Sequence, residues 1–313
     1  MNKVTVLMPA YNAAKYIAEA VHSVLEQTYT DFELLIVNNG SADNTVDEIK
    51  RFTDPRIRVI EEDKNGIGYA LNRGLMEATG EYIARFDADD ICNPFRLEKQ
   101  LQFLEKNPGH ILCGSDAEYI AESGEHLFDF YCFGHTHEEI IQQLYVYCPF
   151  IHSSVMYRKE AVLKAGGYPA DAHNFEDYLL WVQLAMQGKY CNLPERLLKV
   201  RFNPASVTID EKWRGQRFRH LKKKIIRQGF VTTAEGEALL SIIKEQDTKK
   251  IKEGAYYALC GKKFLVNNHQ PSRARNHLAK AIRIYPLRLD NYALFLLSYF
   301  PKNFIHWLHS KTI

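Results

Sequence analysis

No two cysteines in this chain are spaced as CxxC. The six present (Cys92, Cys113, Cys132, Cys148, Cys191 and Cys260) are scattered over 313 residues. That pattern offers neither a metal-ligand spacing nor a disulfide framework and reads as reduced core thiols of a cytosolic protein. No GxGxxG follows the first apolar run and no GxxxxGKS occurs anywhere, which argues against a dinucleotide dehydrogenase and a P-loop NTPase. No apolar run approaches the roughly 18 residues of a spanning helix. The N-terminus passes from Met1-Asn2-Lys3 straight into a strand pattern, without a signal peptide. The expectation is a cytoplasmic protein, peripheral to any membrane it touches.

What is present is a soluble globular composition, 46% apolar and 25% charged, in a chain long enough for one large domain or two. The net charge of +2 hides an asymmetry. Residues 1–211 carry 19 Lys/Arg against 32 Asp/Glu, a balance of −13, and residues 212–313 carry 21 against 6, a balance of +15. An acidic body and a basic tail that meets something anionic follow from that split.

The first part alternates strand and helix. Apolar runs at 4–8 and 82–86 predict buried strands, and 32–37 and 57–61 read as two more strands. Between them Ile17, Ala20, Val21, Val24 and Leu25, then 45–51, then Ile67, Ala70, Leu71, Leu75 and Met76 keep helical spacing. This rhythm predicts right-handed βαβ units in a mostly parallel sheet flanked by helices. Further on, 94–106 reads as helix, 111–114 as the start of a strand before a polar excursion to about 139, and 149–157 as strand-like. A helix opens at Phe175-Glu176-Asp177, and 190–193 and 197–202 read as two last short strands. From Trp213 onward the chain turns to basic helical segments. Residues 252–266 and 271–285 resemble one tetratricopeptide-type pair, and 289–308 is apolar and aromatic with Lys302, His306, His309 and Lys311 among Phe304, Trp307 and Leu308. Apolar rings beside cations fit an interfacial membrane segment, and equally a terminal helix pair packed on the domain.

The sharpest chemical signal is Asp87-Ala88-Asp89-Asp90, three carboxylates at the end of the fourth strand run. Ligands of α/β sheets bind at strand carboxyl ends. Hard oxygen donors suit Mg²⁺ or Mn²⁺, ions that share their shell with substrate phosphates. Adjacent carboxylates also repel unless a cation is present. The alternative is an Asp-rich surface turn.

Four stretches in order resemble family 2 glycosyltransferases: Val6-Leu-Met-Pro9-Ala-Tyr11-Asn12, Leu35-Ile-Val-Asn38-Asn39-Gly-Ser41, Ala84-Arg-Phe-Asp87-Ala88-Asp89-Asp90 through Pro94, and Phe175-Glu176-Asp177 through Trp181. The resemblance covers residues 1 to about 208. It implies an inverting enzyme of the GT-A fold, moving a sugar from a nucleotide diphospho-sugar to an acceptor hydroxyl with Mn²⁺ or Mg²⁺. The catalytic domain is then 1–208, and 209–313 is a basic helical extension that positions acceptor or meets membrane. By resemblance Asp89 and Asp87 hold metal, with Asp90 supporting. Pro9, Tyr11, Asn39, Arg73, Asp87, Ala88 and His152 line the nucleotide-sugar site, and Asp177 is the base with Glu176 beside it. An inverting displacement needs such a base opposite the leaving group. His152 could instead be an ordinary core histidine, Tyr11 a core tyrosine, and the Glu-Asp pair a helix cap.

Two positions depart from the pattern. Relatives usually carry Asp where Asn39 stands and often His where Asn203 stands. An Asn carbonyl still accepts the imide N–H of a base, so a UDP-sugar stays favoured and a guanine nucleotide open. Gln216-Arg-Phe-Arg219 lacks the Trp of processive synthases, which favours one sugar per encounter. The expected role is extension of a glycan or glycolipid in cell-surface polysaccharide or lipopolysaccharide synthesis, at the cytoplasmic face of the membrane. The alternatives are a sugar-nucleotide nucleotidyltransferase, whose Gly-rich basic first loop is missing, and a silent nucleotide-sugar-binding scaffold. Nucleic-acid binding has no motif behind it.

Overall fold

The computed structural model describes residues 2–203, 213–246 and 249–305. Ser206 and the tail residues His306, Trp307, Leu308, His309 and Lys311 lie outside the described residues.

Four strands, β1 (Val4–Ala10), β2 (Phe32–Asn38), β3 (Ile57–Glu61) and β4 (Tyr82–Arg85), pair in parallel in the order β3-β2-β1-β4. Every residue of β2 is buried, as expected of a strand covered on both faces. The helices α1 (Ile17–Leu25), α2 (Thr45–Lys50) and α3 (Ile67–Glu77) make the crossovers. α1 turns Ile17, Ala20, Val21 and Val24 inward. α3 lies close on the sheet because Gly74 has no side chain; a Cβ there would stand 2.1 Å from Leu7 Cδ1. Each of those fully buried aliphatic side chains contributes about 2 kcal/mol through lost water contact.

Beyond β4 the order runs β8 (Met156–Arg158), β6 (His110–Ala121), β9 (Lys189–Phe202), β5 (Ile91–Cys92), with β7 (His126–Phe130) on β6. The β4–β8, β6–β8 and β5–β9 pairs are antiparallel. Three readings from the sequence change here. The polar excursion after Cys113 is mostly strand, a β6–β7 pair turning at Gly124 with φ +83°. The run 149–157 holds a single 3-10 turn at His152–Ser154 before β8, and the two expected last strands are one, β9. Helices α4 (Arg96–Lys106), α5 (His137–Gln143), α6 (Lys159–Lys164) and α7 (Glu176–Leu184) complete this part.

The basic region is helical: α8 (Gln216–Gln228), α9 (Thr233–Gln246), α10 (Lys249–Val266), α11 (Pro271–Ile284) and α12 (Leu289–Leu297). Thr232 caps α9 reciprocally with Glu235, the cap read from Thr232-Thr-Ala-Glu. The chain divides into two compact units. One comprises 1–117, 130–200 and 221–239, and the other 118–129, 201–220 and 240–313. The second is built on α10 and α11, whose facing residues Gly261, Phe264, Leu265, Ala274, Leu278 and Ala281 are buried. Among the described residues no helix is long and apolar enough to cross a membrane.

Candidate active site

β1 is followed to one side by β2 and β3, and β4 returns on its other side. The carboxyl ends of β1 and β4 therefore flank the switch point where such sheets bind ligands. Pro9 lies in β1 and Tyr11 just past its end, 63% exposed. The loops after β1 and β2 are knitted together: Asn12 N–H donates to Ser41 Oγ at 3.0 Å, and Ala42 N–H to Asn12 Oδ1 at 2.8 Å. Asn12 itself sits in the left-handed region, φ 48°, which an Asn tolerates.

Asn39 is buried, with both N–H bonds of its amide and one lone pair of its oxygen engaged. Its Nδ2 donates to the carbonyls of Glu62 (3.0 Å) and Lys64 (2.7 Å), while its Oδ1 accepts from Gly66 N–H at 2.9 Å. An aspartate has no donor for those two carbonyls, so the departure at this position has a structural cause: Asn39 ties the β2 end to the loop before α3. One lone pair of Oδ1 is left by that count. Arg73, on α3, pairs with Glu77 at 3.2 Å across one helical turn and makes no ion pair with another of the expected site residues.

After β4 the oxygens of Asp87, Asp89 and Asp90 come within 4.8 Å of one another. Adjacent oxygens on one ion with ligands at about 2.1 Å stand roughly 3 Å apart, so the carboxylates would have to close in to hold one; hard all-oxygen donors of this kind suit a divalent cation such as Mg²⁺ or Mn²⁺. Asp90 is buried and accepts from Ser153 Oγ, whereas Asp87 and Asp89 are part-exposed. Ala88 is buried between them.

On the other side stand His152, Glu176 and Asp177, whose ligand-type atoms also gather within 4.8 Å. Glu176 and Asp177 open α7. Asp177 keeps a fifth of its side chain exposed; its Oδ2 lies 3.9 Å from His152 Nδ1 and 4.0 Å from the Cys148 thiol. Burial raises its pKa, opposed by the Tyr178 N–H, Lys222 and Arg85. Glu176 is more deeply buried and Oε2 has no hydrogen-bond partner among the described residues. Burial first, then the Asp177 charge, pushes it up to about 8. Both carboxyls are thus harder to ionise than free ones, and Glu176 keeps its proton at neutral pH. Burial, with Arg85, holds His152 well below the usual imidazole range, so its ring is neutral. Its Nε2 meets Tyr168 OH at 3.2 Å, and Tyr168 OH in turn donates to Tyr157 OH at 3.2 Å. Trp181, fully buried, packs edge-on to His152 at 5.9 Å and forms the apolar wall behind it.

Sequence reasoning missed the group that joins the two clusters. Arg85, inside β4, is 2% exposed; it pairs with Asp87, and its charge lowers the pKa of both Glu176 and Asp177. Its Nε has no hydrogen-bond partner among the described residues. A cation within an otherwise apolar buried strand was the available signal. Tyr168 stands close to the same arginine. It is placed by Gly167 (φ +82°), where a Cβ would stand 2.5 Å from Asn72 Oδ1, and by the two hydrogen bonds of the Asn72 amide to Tyr168 N–H (2.7 Å) and C=O (2.8 Å). Asn203 is buried.

A model of the family described as "Glycosyl transferase family 2" matches residues 5–165. An uncharacterized glycosyltransferase of Haemophilus influenzae is 34% identical over 216 residues, spanning 64% of this chain and 65% of that protein, just under two thirds of its length. The O-antigen biosynthesis glycosyltransferase WbnJ of Escherichia coli is 31% identical over 213 residues, 66% of this chain and 82% of that one. Among solved structures, the mannosyltransferase PcManGT of Pyrobaculum calidifontis in complex with GDP-Man and Mn²⁺ superposes with a TM-score of 0.56 at 21% identity, over 94% of this chain and 80% of that one. With the parallel sheet, its switch-point loops and these matches together, the chain belongs to glycosyltransferase family 2 and is a glycosyltransferase of the GT-A fold.

Proposed function

We propose that this enzyme inverts configuration while moving a hexosyl or N-acetylhexosaminyl unit from a nucleotide diphospho-sugar, a UDP-sugar first, to a hydroxyl of a glycan or glycolipid in cell-surface polysaccharide or lipopolysaccharide synthesis. What carries it is the place of Asp177: a carboxylate at the start of α7, part-exposed, with its Oδ2 3.9 Å from His152 Nδ1 and 4.0 Å from the Cys148 thiol. The acceptor hydroxyl attacks the anomeric carbon, its proton passes to Asp177, and the bond to the diphosphate oxygen breaks on the opposite face. Asp89 and Asp87, with Asp90 behind them, would hold Mn²⁺ or Mg²⁺, which supplies Lewis-acid neutralisation of the leaving diphosphate. Arg85 stabilises both groups of carboxylates from beneath. Pro9, Tyr11 and Ala88 form the donor site, with the Tyr11 ring against the base, and His152 stands with Asp177; Arg73, held by Glu77 on α3, is not part of it. The spare lone pair of Asn39 Oδ1 accepts an imide or lactam N–H, which uracil, thymine and guanine have and cytosine and adenine lack.

Residues 1–208 are the catalytic domain in this reading. Residues 209–313 meet an anionic membrane at the cytoplasmic face, supported by the +15 charge of 212–313 and by the exposed Leu287, Leu289, Leu296, Tyr299 and Phe300. The relative's O-antigen role supports a surface-glycan product. The test is a screen of UDP-, dTDP- and GDP-sugars with Mn²⁺, reading nucleoside diphosphate release with and without glycolipid extract. UDP release that EDTA removes and Mn²⁺ restores is expected. Neither binding nor release with any donor overturns the reading.

A further inference from the structure

Close to Asp177 the chain leaves aromatic rings in water. Tyr131, Phe133 and Tyr145 are 62%, 57% and 55% exposed. They are anchored rather than loose. The Phe133 ring packs on Tyr147 with centroids 4.5 Å apart and edge-on against Phe130 at 5.8 Å, and Gln143 Nε2 donates to the Phe133 carbonyl at 3.1 Å. Beside Tyr131, Cys132 N–H donates to the buried Asp116 at 2.8 Å. Next to Tyr145, the Leu144 carbonyl accepts from Tyr178 OH at 2.7 Å, and Tyr178 directly follows Asp177. Cys148, directly after Tyr147, places its thiol 4.0 Å from Asp177 Oδ2. Phe133 through Tyr147 and Cys148, and Tyr145 through Leu144, are therefore tied to chain neighbours of Asp177, and Tyr131 lies two residues before Phe133.

Charge decides what covers them. Residues 130–157 contain no lysine or arginine and carry Glu138 and Glu139. A phosphate, a uronic acid or an anionic lipid surface finds no counter-charge on this segment, and Lys222, 5.3 Å from the Tyr178 ring centroid, is a cation that the Asp177 carboxylate already engages. A pyranose ring has an apolar face of polarised C–H bonds, complementary to the negative face of an aromatic ring, and its hydroxyls stay in water at the edge. Exposed anchored aromatics beside a polar reaction centre are the composition of a ligand site rather than of inert surface.

We propose that Tyr131, Phe133 and Tyr145 form the acceptor subsite, stacking an uncharged terminal pyranose so that its hydroxyl meets Asp177. This rests on the transfer reading above, and its test is kept separate from it. The full-length chain is titrated with lactose and methyl β-glucopyranoside, and with glucuronic acid and glucose 6-phosphate as charged counterparts, followed by saturation-transfer NMR. The neutral sugars are expected to bind, and the charged probes about tenfold more weakly. Phe133→Ala with Tyr145→Ala is expected to weaken the neutral sugars about tenfold, Phe133→Leu with Tyr145→Leu nearly as much, and Phe133→Tyr with Tyr145→Phe little, each with the native circular-dichroism spectrum. Unaltered affinity in the alanine pair, equal binding of charged and neutral probes, or loss of vesicle binding or self-association in place of sugar binding each overturns the subsite. Sugar binding needs no donor. A failed donor screen with ring-dependent sugar binding therefore removes the transfer reading alone, and a positive screen with ring-independent binding removes this subsite alone.

Discussion

Asp177 and Glu176 are neighbours in the chain and differ in what surrounds their oxygens. Asp177 reaches solvent, the Tyr178 N–H and two cations, whereas one Glu176 oxygen is buried without a partner. Replacing Asp177 by Asn removes the proposed proton acceptor and keeps the shape. Transfer is expected to fall by about 100-fold or more, with donor binding by calorimetry changed little; equal loss of both reassigns Asp177 to structure. The pair also sets a pH dependence. Activity falls in acid as Asp177 takes up a proton, and a second change follows near 8, where Glu176 ionises. Because Glu176 is raised from 4.5 to about 8, the folded state binds its proton more tightly than the unfolded one. Its contribution to stability is complete below 4.5 and is lost as pH rises through about 8. Glu176→Gln is expected to abolish the change near 8 in the pH–rate profile and to flatten the decline of Tm between pH 5 and 8. A profile identical to wild type rules this assignment out.

At the scale of elements, the donor edge depends on loops sewn together by side chains rather than by their own turn chemistry. Asn39 is the main stitch, holding the β2 end to the loop before α3 through three hydrogen bonds. Asn39→Asp, which restores the residue usual in the family, puts a carboxylate against two carbonyls. It is expected to destabilise by about 2 kcal/mol, a drop of several degrees in Tm by calorimetry. Gly66 N–H could still donate to it, so the fold persists. An unchanged or higher Tm refutes the stitch. The α9 cap offers a second check. Glu235 is held down to about 2 by Lys224 and by the Thr232 N–H, so its contribution is present above 4.5 and lost as pH falls towards 2. Glu235→Ala is expected to cost about 1 kcal/mol at pH 7 and almost nothing at pH 2, measured by urea unfolding.

Over the whole molecule the division of charge matters more than its sum. The acidic part holds its carboxylates around a reaction centre, and the basic part presents exposed leucines and aromatics among its cations. Vesicle sedimentation is expected to show binding to anionic vesicles that weakens steeply between 0.1 and 0.5 M salt, roughly as screening shortens from 10 Å. Binding is expected to be lost when Leu289, Leu296 and Phe300 are each replaced by Glu. Binding that ignores both salt and these substitutions removes the membrane reading.

The sequence by itself determined the sheet half and the order of its parts. The strands β1, β2 and β4 are mostly apolar runs, α1 and α3 keep a regular apolar face, and Asp87, Asp89 and Asp177 are polar residues placed where those patterns stop. Periodicity and breaks in it are local, and a local signal survives in one dimension. Only the tertiary structure decided that Arg85 lies between the two carboxylate groups, that His152 sits on a turn, that Asn39 is a stitch, and that anchored rings stand beside Asp177. Those facts join residues tens of positions apart, and burial, which sets Glu176 apart from Asp177, is a property of everything packed around a group and not of its neighbours in the chain.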